Sequence, residues 1–515
     1  VSGPRSDRRP RPSAPRRAHG RAPAAAGTFA ALLACAALLA SLAGCGTDAD
    51  QPDAAAASAP RAATDGTGAF AQVRPPDVAV TTAASGTARG YLFAAPKRGP
   101  KGDQAGPMIF DDRGQAVWFH PLSGGMAAYG FSMQTYRGKP VLTWWQGIPH
   151  DGFGTGVDVI YDDHYQPIAT VKAGNGLSAD LHEFQITKRG TALLLAYVPQ
   201  RRDMRRWGGR ANQLVVDQAV QEIDIATGRV LLDWRGLQHV SPDESYMGPP
   251  RNPAKYWDPL HLNSIDVDRD GNLLVSARDS HATYKIDRHS GRIIWKMGGK
   301  DSDFTMGRGT RTRWQHDARR LPDGHLTWFD NNAVRPTSRP TQSRGLEVAV
   351  DPSARRVRLV RAYRHRPAEL STSQANMQTL PNGDKLIGWG GGQPNLTEYS
   401  PTGQVRFEAR FTGAGTDSYR AFRWRWTGRP DTLPQVAPGP GAGQVLARWN
   451  GATEVASWRV LAGRDDATLQ PTAERPRTGF DTSLAVPADA TRVVVVALDA
   501  QGRELRRSAP LDISS

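Results

Sequence analysis

The sequence predicts an all-β fold: a six-bladed β-propeller followed by a C-terminal fibronectin type III/Ig-like β-sandwich. Three observations carry this expectation. The 515 residues include 53 glycines and 38 prolines, and long helical periodicities are scarce, as in turn-rich β proteins. Short alternating runs pair around tight turns in MIFDDRGQAVWFH, QEIDIATGRVLLDW, YKIDRHSGRIIWKMGG and TEYSPTGQVRFEARF, the pattern of half-buried hairpins. A second hairpin type, seen in KRGTALLLAY, DRDGNLLVSAR, LPDGHLTWFD and LPNGDKLIGWG, sets its turn glycines at Gly138, Gly190, Gly271, Gly324 and Gly383. The spacings of 52, 81, 53 and 59 residues fit four-stranded blades repeating about every 50 residues.

From the N-terminus, the first segment explains much of the charge. The formal net charge is +15 and the pI near 10.0, values that elsewhere accompany nucleic-acid binding. Arg5, Arg8, Arg9, Arg11, Arg16, Arg17 and Arg21 precede an apolar run over 29–42 that contains Cys35. No basic block follows it, so a nucleic-acid partner is not expected, because phosphate binding needs cations gathered on one face. Leu42-Ala43-Gly44-Cys45 closes the run. A basic stretch, an apolar core and small residues before a cysteine have the form of a bacterial lipoprotein signal, which makes Cys45 the lipidation site. An ordinary signal peptide or an uncleaved anchor is the alternative. The expectation is therefore a chain lipid-anchored to the cell membrane on its extracytoplasmic face, with residues 1–45 as signal and lipobox.

Residues 46–69 are rich in alanine, aspartate and proline and bury too little apolar surface to order themselves, so they read as a tether. Residues 70–430 carry the blade repeat, with 91–118 supplying a sixth copy. The polar insertions 201–218 and 241–256 account for the one long glycine interval as loops over one face. After DTLPQVAPGPGAG the pattern changes, and 431–515 read as a small sandwich with Trp449 as its core tryptophan and a packing role.

Three histidines recur at one place in the repeat. His182 and His316 stand eight residues before their turn glycines and His261 ten before Gly271; in the last blade the place falls on Ala375, with Asn376 beside it. Residues entering the innermost strands point to the propeller axis, so the histidines converge. Three imidazoles are a zinc set. Asn263 and Arg278, however, belong to the blade of His261, and no carboxylate recurs at a matching position. Donors of this kind converge on an anion, so no metal ligand is assigned. Asp266, Asp268 and Asp270 resemble the start of a calcium loop, but Ala277 stands where a bidentate glutamate is needed, and a hairpin turn accounts for them. Trp144, Trp145, Trp314 and Trp389 lie near channel-facing segments, either as stacking surfaces for aromatic ligands or as packing between blades.

The runs DPLHLNSIDVDRDGNLLVSAR, GRIIWKMGG, WQHDARRLPDGHLTWFDN and SYRAFRWRWTGRP resemble the arylsulfotransferase (arylsulfate sulfotransferase) superfamily, in its actinobacterial branch, over residues 91–430. The resemblance implies transfer of a sulfuryl group from an aryl sulfate to a phenol, with no nucleotide donor and no cofactor. It implies a transiently sulfated histidine at His316, sulfate-oxygen binding by His261, Asn263 and Arg278, and a further site histidine at His182. The enzymes compared carry an extra N-terminal β domain, whereas the additional module here is C-terminal. No threonine of the last blade, Thr372 or Thr379, is placed in the site. The alternative from another class is a surface propeller that captures anionic or aromatic ligands without turning them over. Oligomeric state and the physiological substrates are not legible.

Overall fold

The computed structural model of the chain describes residues 70, 73–97, 104–333 and 342–513. The expected signal, Cys45 and the tether lie outside these residues. Among the described residues the protein is all-β and propeller-like, its short helical turns confined to connections.

Six sheets each contain a four-stranded antiparallel meander. The second holds Ala127–Tyr136, Lys139–His150, Phe153–Tyr161 and Pro167–Val171, and the third Phe184–Ile186, Thr191–Arg202, Gln213–Asp224 and Val230–Arg235. The fourth holds Leu262–Val267, Leu273–Ala277, Ala282–Ile286 and Ile293–Gly298. The fifth runs through His316–Arg320, Leu326–Asp330, Arg344–Asp351 and Arg356–Tyr363, and the sixth through Asn376–Thr379, Lys385–Gly388, Leu396–Tyr399 and Val405–Phe411. The first is built from both ends of this region: Tyr91–Pro96, Met108–Phe110 and Ala116–Phe119 receive Ser418–Trp424 antiparallel to Tyr91–Pro96. Val78–Thr82 in turn adds itself to Val405–Phe411. This exchange ties the beginning of the region to its end and pairs strand edges that would otherwise stand free.

The five turn glycines each join the first two strands of sheets two to six, with φ between +74° and +94°. That conformation penalises a Cβ, which is why glycine returns at this period. The first strands of the sheets neighbour one another in a closed cycle, from Ser418–Trp424 through Ala127–Tyr136 and round to Asn376–Thr379. Each face between consecutive sheets is apolar: one buried cluster holds Phe93 and Leu142, another Val141 and Leu194, and others Leu195 and Val275, Leu274 and Trp328, Phe329 and Ile387, and Leu386 and Phe110. Each such side chain contributes about 1.5–3 kcal/mol of burial. Trp144, Trp145 and Trp389 belong to these faces and are fully buried, so they pack rather than offer stacking surfaces. Asp268 and Asp270 of the expected turn pair with Lys285 at 2.8 and 2.7 Å, and Asp268 also with Arg320 at 2.9 Å.

The C-terminal residues form two further sheets with a core of their own, Val445 and Leu484 against Trp458, Val460 and Val495. The core tryptophan is Trp458; Trp449 is half-buried and donates to the Thr432 carbonyl at 2.9 Å. The alternation of the strand Ser457–Gly463 turns Trp458 inward, whereas Trp449 follows the end of its strand. Asn450 clasps the edge of the first sheet, accepting from Phe119 N at 3.0 Å and donating to Phe119 O at 2.9 Å.

Four charges fill the middle of the strand cycle. Glu183 accepts from Arg319 at 2.6 Å and from Arg420 at 3.1 Å, and Asp317 accepts from Arg319 at 2.8 Å. Arg420 also donates to Asn263 O at 2.9 Å, Arg319 to Ile265 O at 2.7 Å, and Asp317 accepts from Met377 N at 3.1 Å. Strands of five sheets thus meet in one balanced, hydrogen-bonded cluster. Removing one member strands a buried charge, which costs about 3–5 kcal/mol. Arg420→Ala is expected to lower stability by about that amount, read as the shift in the midpoint of urea unfolding.

Candidate active site

Three inner strands, at or near their first residues, bring a side chain to one end of the cycle and its successor to the axial charges. His182 precedes Glu183, His316 precedes Asp317, and Tyr419 precedes Arg420. This is the two-residue period of a strand, sharpened by register shifts at Tyr129/Ser132, Leu262/Ser264 and His316/Arg319 that re-aim the strand entries. Among the described residues, six of the twelve non-glycine residues with positive φ are His261, His281, Trp314, Asp317, Gln374 and Ala375. Such strain gathers where surrounding structure holds a functional geometry.

A cavity of about 510 Å³ opens at this end, within the range of small-molecule sites. His182, His261, Arg278 and His316 line it, so four of the five predicted site residues meet; Lys97, Gln374 and Tyr419 join them. Asn263 does not line it. Its amide donates to Gln315 O at 2.8 Å and is fully buried, because the register shift beside it turns that side chain toward the neighbouring strand. It acts on the site by holding the segment that carries His316. A larger cavity of about 1280 Å³ lies beyond the axial charges, lined by Gln134, Gln185 and Gln378; none of the three histidines faces it.

The three rings have different partners. His182 donates from Nδ1 to Asp180, whose carboxylate also accepts from His182 N. His261 repeats the device: Asp258 accepts from its backbone N at 2.9 Å and faces its Nδ1 at 2.6 Å. An aspartate two or three residues upstream therefore fixes backbone and ring together. His316 meets an amide instead. Asn331 Nδ2 donates to the carbonyls of Ser371 and Gln374 at 2.9 and 3.1 Å, which leaves Oδ1 facing His316 Nδ1 at 2.7 Å. Trp314 O, 3.1 Å away, is also an acceptor. Nδ1 therefore carries the proton, and the Nε2 lone pair faces Gln374 N–H at 3.2 Å.

The charge states follow. Burial, then the field of Arg278, holds His316 well below the ordinary histidine value, so it is neutral. Burial also lowers His182 despite Asp180. For His261 burial acts downward too, but Asp258 and then Asp279 outweigh it and its pKa is raised. Arg278 is held by Asp279 at 2.6 Å and lies 4.9 Å from the Trp314 ring. Tyr419 lies edge-on to His182 and His316 with an unpartnered buried hydroxyl, kept protonated by burial.

Asp258, His261 and Asp279 have ligand atoms close enough to hold a cation. A metal would have to displace both the His261–Asp258 and Arg278–Asp279 contacts, with a guanidinium beside it. The donors on the cavity wall suit an anion better. A second such group, Asp323, His325 and Glu347, sits at a hairpin remote from the cavity. The sequence reading missed Asn331, Gln374, Tyr419 and Lys97. The signals available were the D-N-N run closing LTWFDNN and the tyrosine in SYRAF; neither announces its partner.

The family model of the arylsulfotransferases (ASST) matches residues 132–412. No curated protein matches the chain. Solved structures that resemble it include a protein of unknown function from Bacteroides caccae, at 14% identity and TM-score 0.39, covering 64% of this chain and 97% of that one. A catalytically inactive virginiamycin B lyase from Staphylococcus aureus with quinupristin is 7% identical with TM-score 0.34, covering 73% and 97%. A Lactobacillus plantarum protein is 12% identical with TM-score 0.34, covering 77% and 98%. Likenesses this loose say nothing about the chemistry of the cavity.

The site's titration is checked by NMR of ring-labelled histidine. His316 is expected to stay neutral at and below pH 6.5, while His261 titrates above 6.5. Asp258→Asn removes the carboxylate and leaves burial, so the His261 midpoint should fall.

Proposed function

Because this chain belongs to the arylsulfotransferase family, we propose that it transfers a sulfuryl group from an aryl sulfate to a phenol through a sulfated His316, with no nucleotide donor. The observation that carries the proposal is the pairing of His316 with Asn331, which leaves a neutral imidazole at the cavity wall whose unprotonated Nε2 accepts the Gln374 N–H. Such a nitrogen is nucleophilic without a separate base.

In the first half-reaction the Gln374 N–H passes from Nε2 to a sulfuryl oxygen, Nε2 attacks sulfur, the N–S bond forms and the bond from sulfur to the aryl oxygen breaks. The Nδ1 proton stays on the ring, shared with Asn331. His261, which holds its proton best of the three histidines, gives it to the departing phenolate. Arg278 and Gln374 N–H supply donors for the sulfuryl oxygens, each worth about 10²–10³ in rate where charge develops. In the second half the acceptor phenol passes its proton to His182, whose Nε2 lone pair is free because Nδ1 donates to Asp180. The phenol oxygen then attacks sulfur and the N–S bond breaks. The His182 and His261 rings are 4.9 Å apart, close enough for the proton to return and reset the pair.

The same reading takes the six sheets as a six-bladed propeller over 70–430 and the last two as a fibronectin type III-like sandwich over 431–515. It places the chain outside the cytoplasm, held to the membrane by lipid on Cys45. The test is phenolate release from a chromogenic aryl sulfate with phenol as acceptor. His316→Ala should lose about 10³-fold or more of kcat, whereas Asn331→Leu, which frees the ring's tautomer, should lose about 10²-fold. Saturable binding of the aryl sulfate with no phenolate released would instead support a capture protein.

A further inference from the structure

A third pocket, of about 410 Å³, lies beside the histidine cavity. Its walls come from Tyr246, the turn at His281, the strand end at Gly298 and Gly299, and the segment Arg311 to Trp314 that leads into His316. Trp314 separates the two cavities, with Arg278 against its ring. The catalytic scheme above uses none of the pocket's other side chains.

Three rings make the pocket aromatic. Tyr246 stacks on His281 with centroids 4.0 Å apart and planes 13° from parallel, and Trp314 stands edge-on to His281 at 4.4 Å. Tyr246 is 45% exposed, so its ring remains open to solvent beside the pocket. The pocket floor is bare backbone: a Cβ on Gly298 would meet His281 O at 2.7 Å, and one on Gly299 would meet Ser280 O at 2.6 Å.

Its charge has one sign. Arg311 and Arg313 are the charged side chains that line it, and among the described residues no carboxylate does. Lys300 adds a third cation, 5.1 Å from the Tyr246 ring. His281 is only 7% exposed, and its Nε2 is buried without a hydrogen-bond partner. A buried polar nitrogen in that state costs free energy unless something completes it. Burial and the fields of Arg313, Arg278 and Lys300 push its pKa down to about 3, so the ring is neutral, and in the tautomer protonated at Nε2 it offers an N–H.

We propose that this pocket is a second ligand site, for a small aromatic anion such as an aryl sulfate, sulfonate or carboxylate. The aryl ring lies against Tyr246 and Trp314. The anionic group sits among Arg311, Arg313 and the His281 N–H. The assignment does not depend on transfer chemistry, because it requires binding alone.

Calorimetric titration of the full chain with naphthalene-2-sulfonate, an aryl anion with no sulfuryl group to transfer, tests it. Arg311→Ala/Arg313→Ala changes exposed residues and should weaken this site about tenfold. Tyr246→Ala, which alters no charge, should weaken it about fivefold. The site should persist in His316→Ala, so its fate is separable from that of the sulfated histidine. Variants whose titrations superimpose on the wild type would overturn the proposal. So would a loss confined to the arginine variant, since that would report a field acting at a distance and not a contact.

Discussion

The cluster of Glu183, Asp317, Arg319 and Arg420 is the constraint on which the site depends. Two positive and two negative charges buried together cost several kcal/mol each in desolvation, and only close pairing with full hydrogen bonding offsets it. Arg319 and Arg420 both reach backbone carbonyls of the fourth sheet while Asp317 takes an N–H from the sixth. The cluster therefore ties its members to several sheets at once, with Arg420 Nε left without a hydrogen-bond partner. Three of the four follow a site residue directly in sequence, so fixing the axial side chains fixes His182, His316 and Tyr419 one strand position away. Its four members line the larger cavity and none of them lines the histidine one.

What distinguishes the three histidines is the group behind each ring. A carboxylate behind His182 and His261 favours an imidazolium, and burial opposes it; the balance goes to burial at His182 and to the carboxylate at His261. An amide behind His316 fixes the tautomer without rewarding a second proton. One strand-entry motif thereby yields a group suited to accept a proton, one to donate it, and one to remain neutral and nucleophilic. The nearby guanidinium of Arg278 reinforces the last, because it repels a proton from His316 while it attracts an anion to the same place.

The sequence made the repeat legible because its turns require positive φ, and glycine answers that requirement at a regular period. The histidines were legible for the same reason: their distance from the turn glycine sets their height along the strand. Partners across sheets were not. Asn331 reaches His316 from the far end of a hairpin, and Tyr419 arrives on a strand more than 300 residues from the sheet it completes. Asn263 was expected in the cavity because it lies near His261, but the register shift between Leu262 and Ser264 turns its amide toward Gln315. The same limit applied to Trp449, where composition suggested a core tryptophan and strand register selected Trp458. The aromatic and cationic pocket at His281 was legible only at Trp314, since its other walls come from segments far apart in sequence.

The central claim is that His316 becomes covalently sulfated, and mass spectrometry reads that state directly. Protein mixed with an aryl sulfate in the absence of acceptor should gain the mass of one SO3 group. Peptide mapping should place it on the peptide containing His316, and added phenol should remove it. A protein that releases phenolate while gaining no mass, or that carries the group on another residue, would contradict the account.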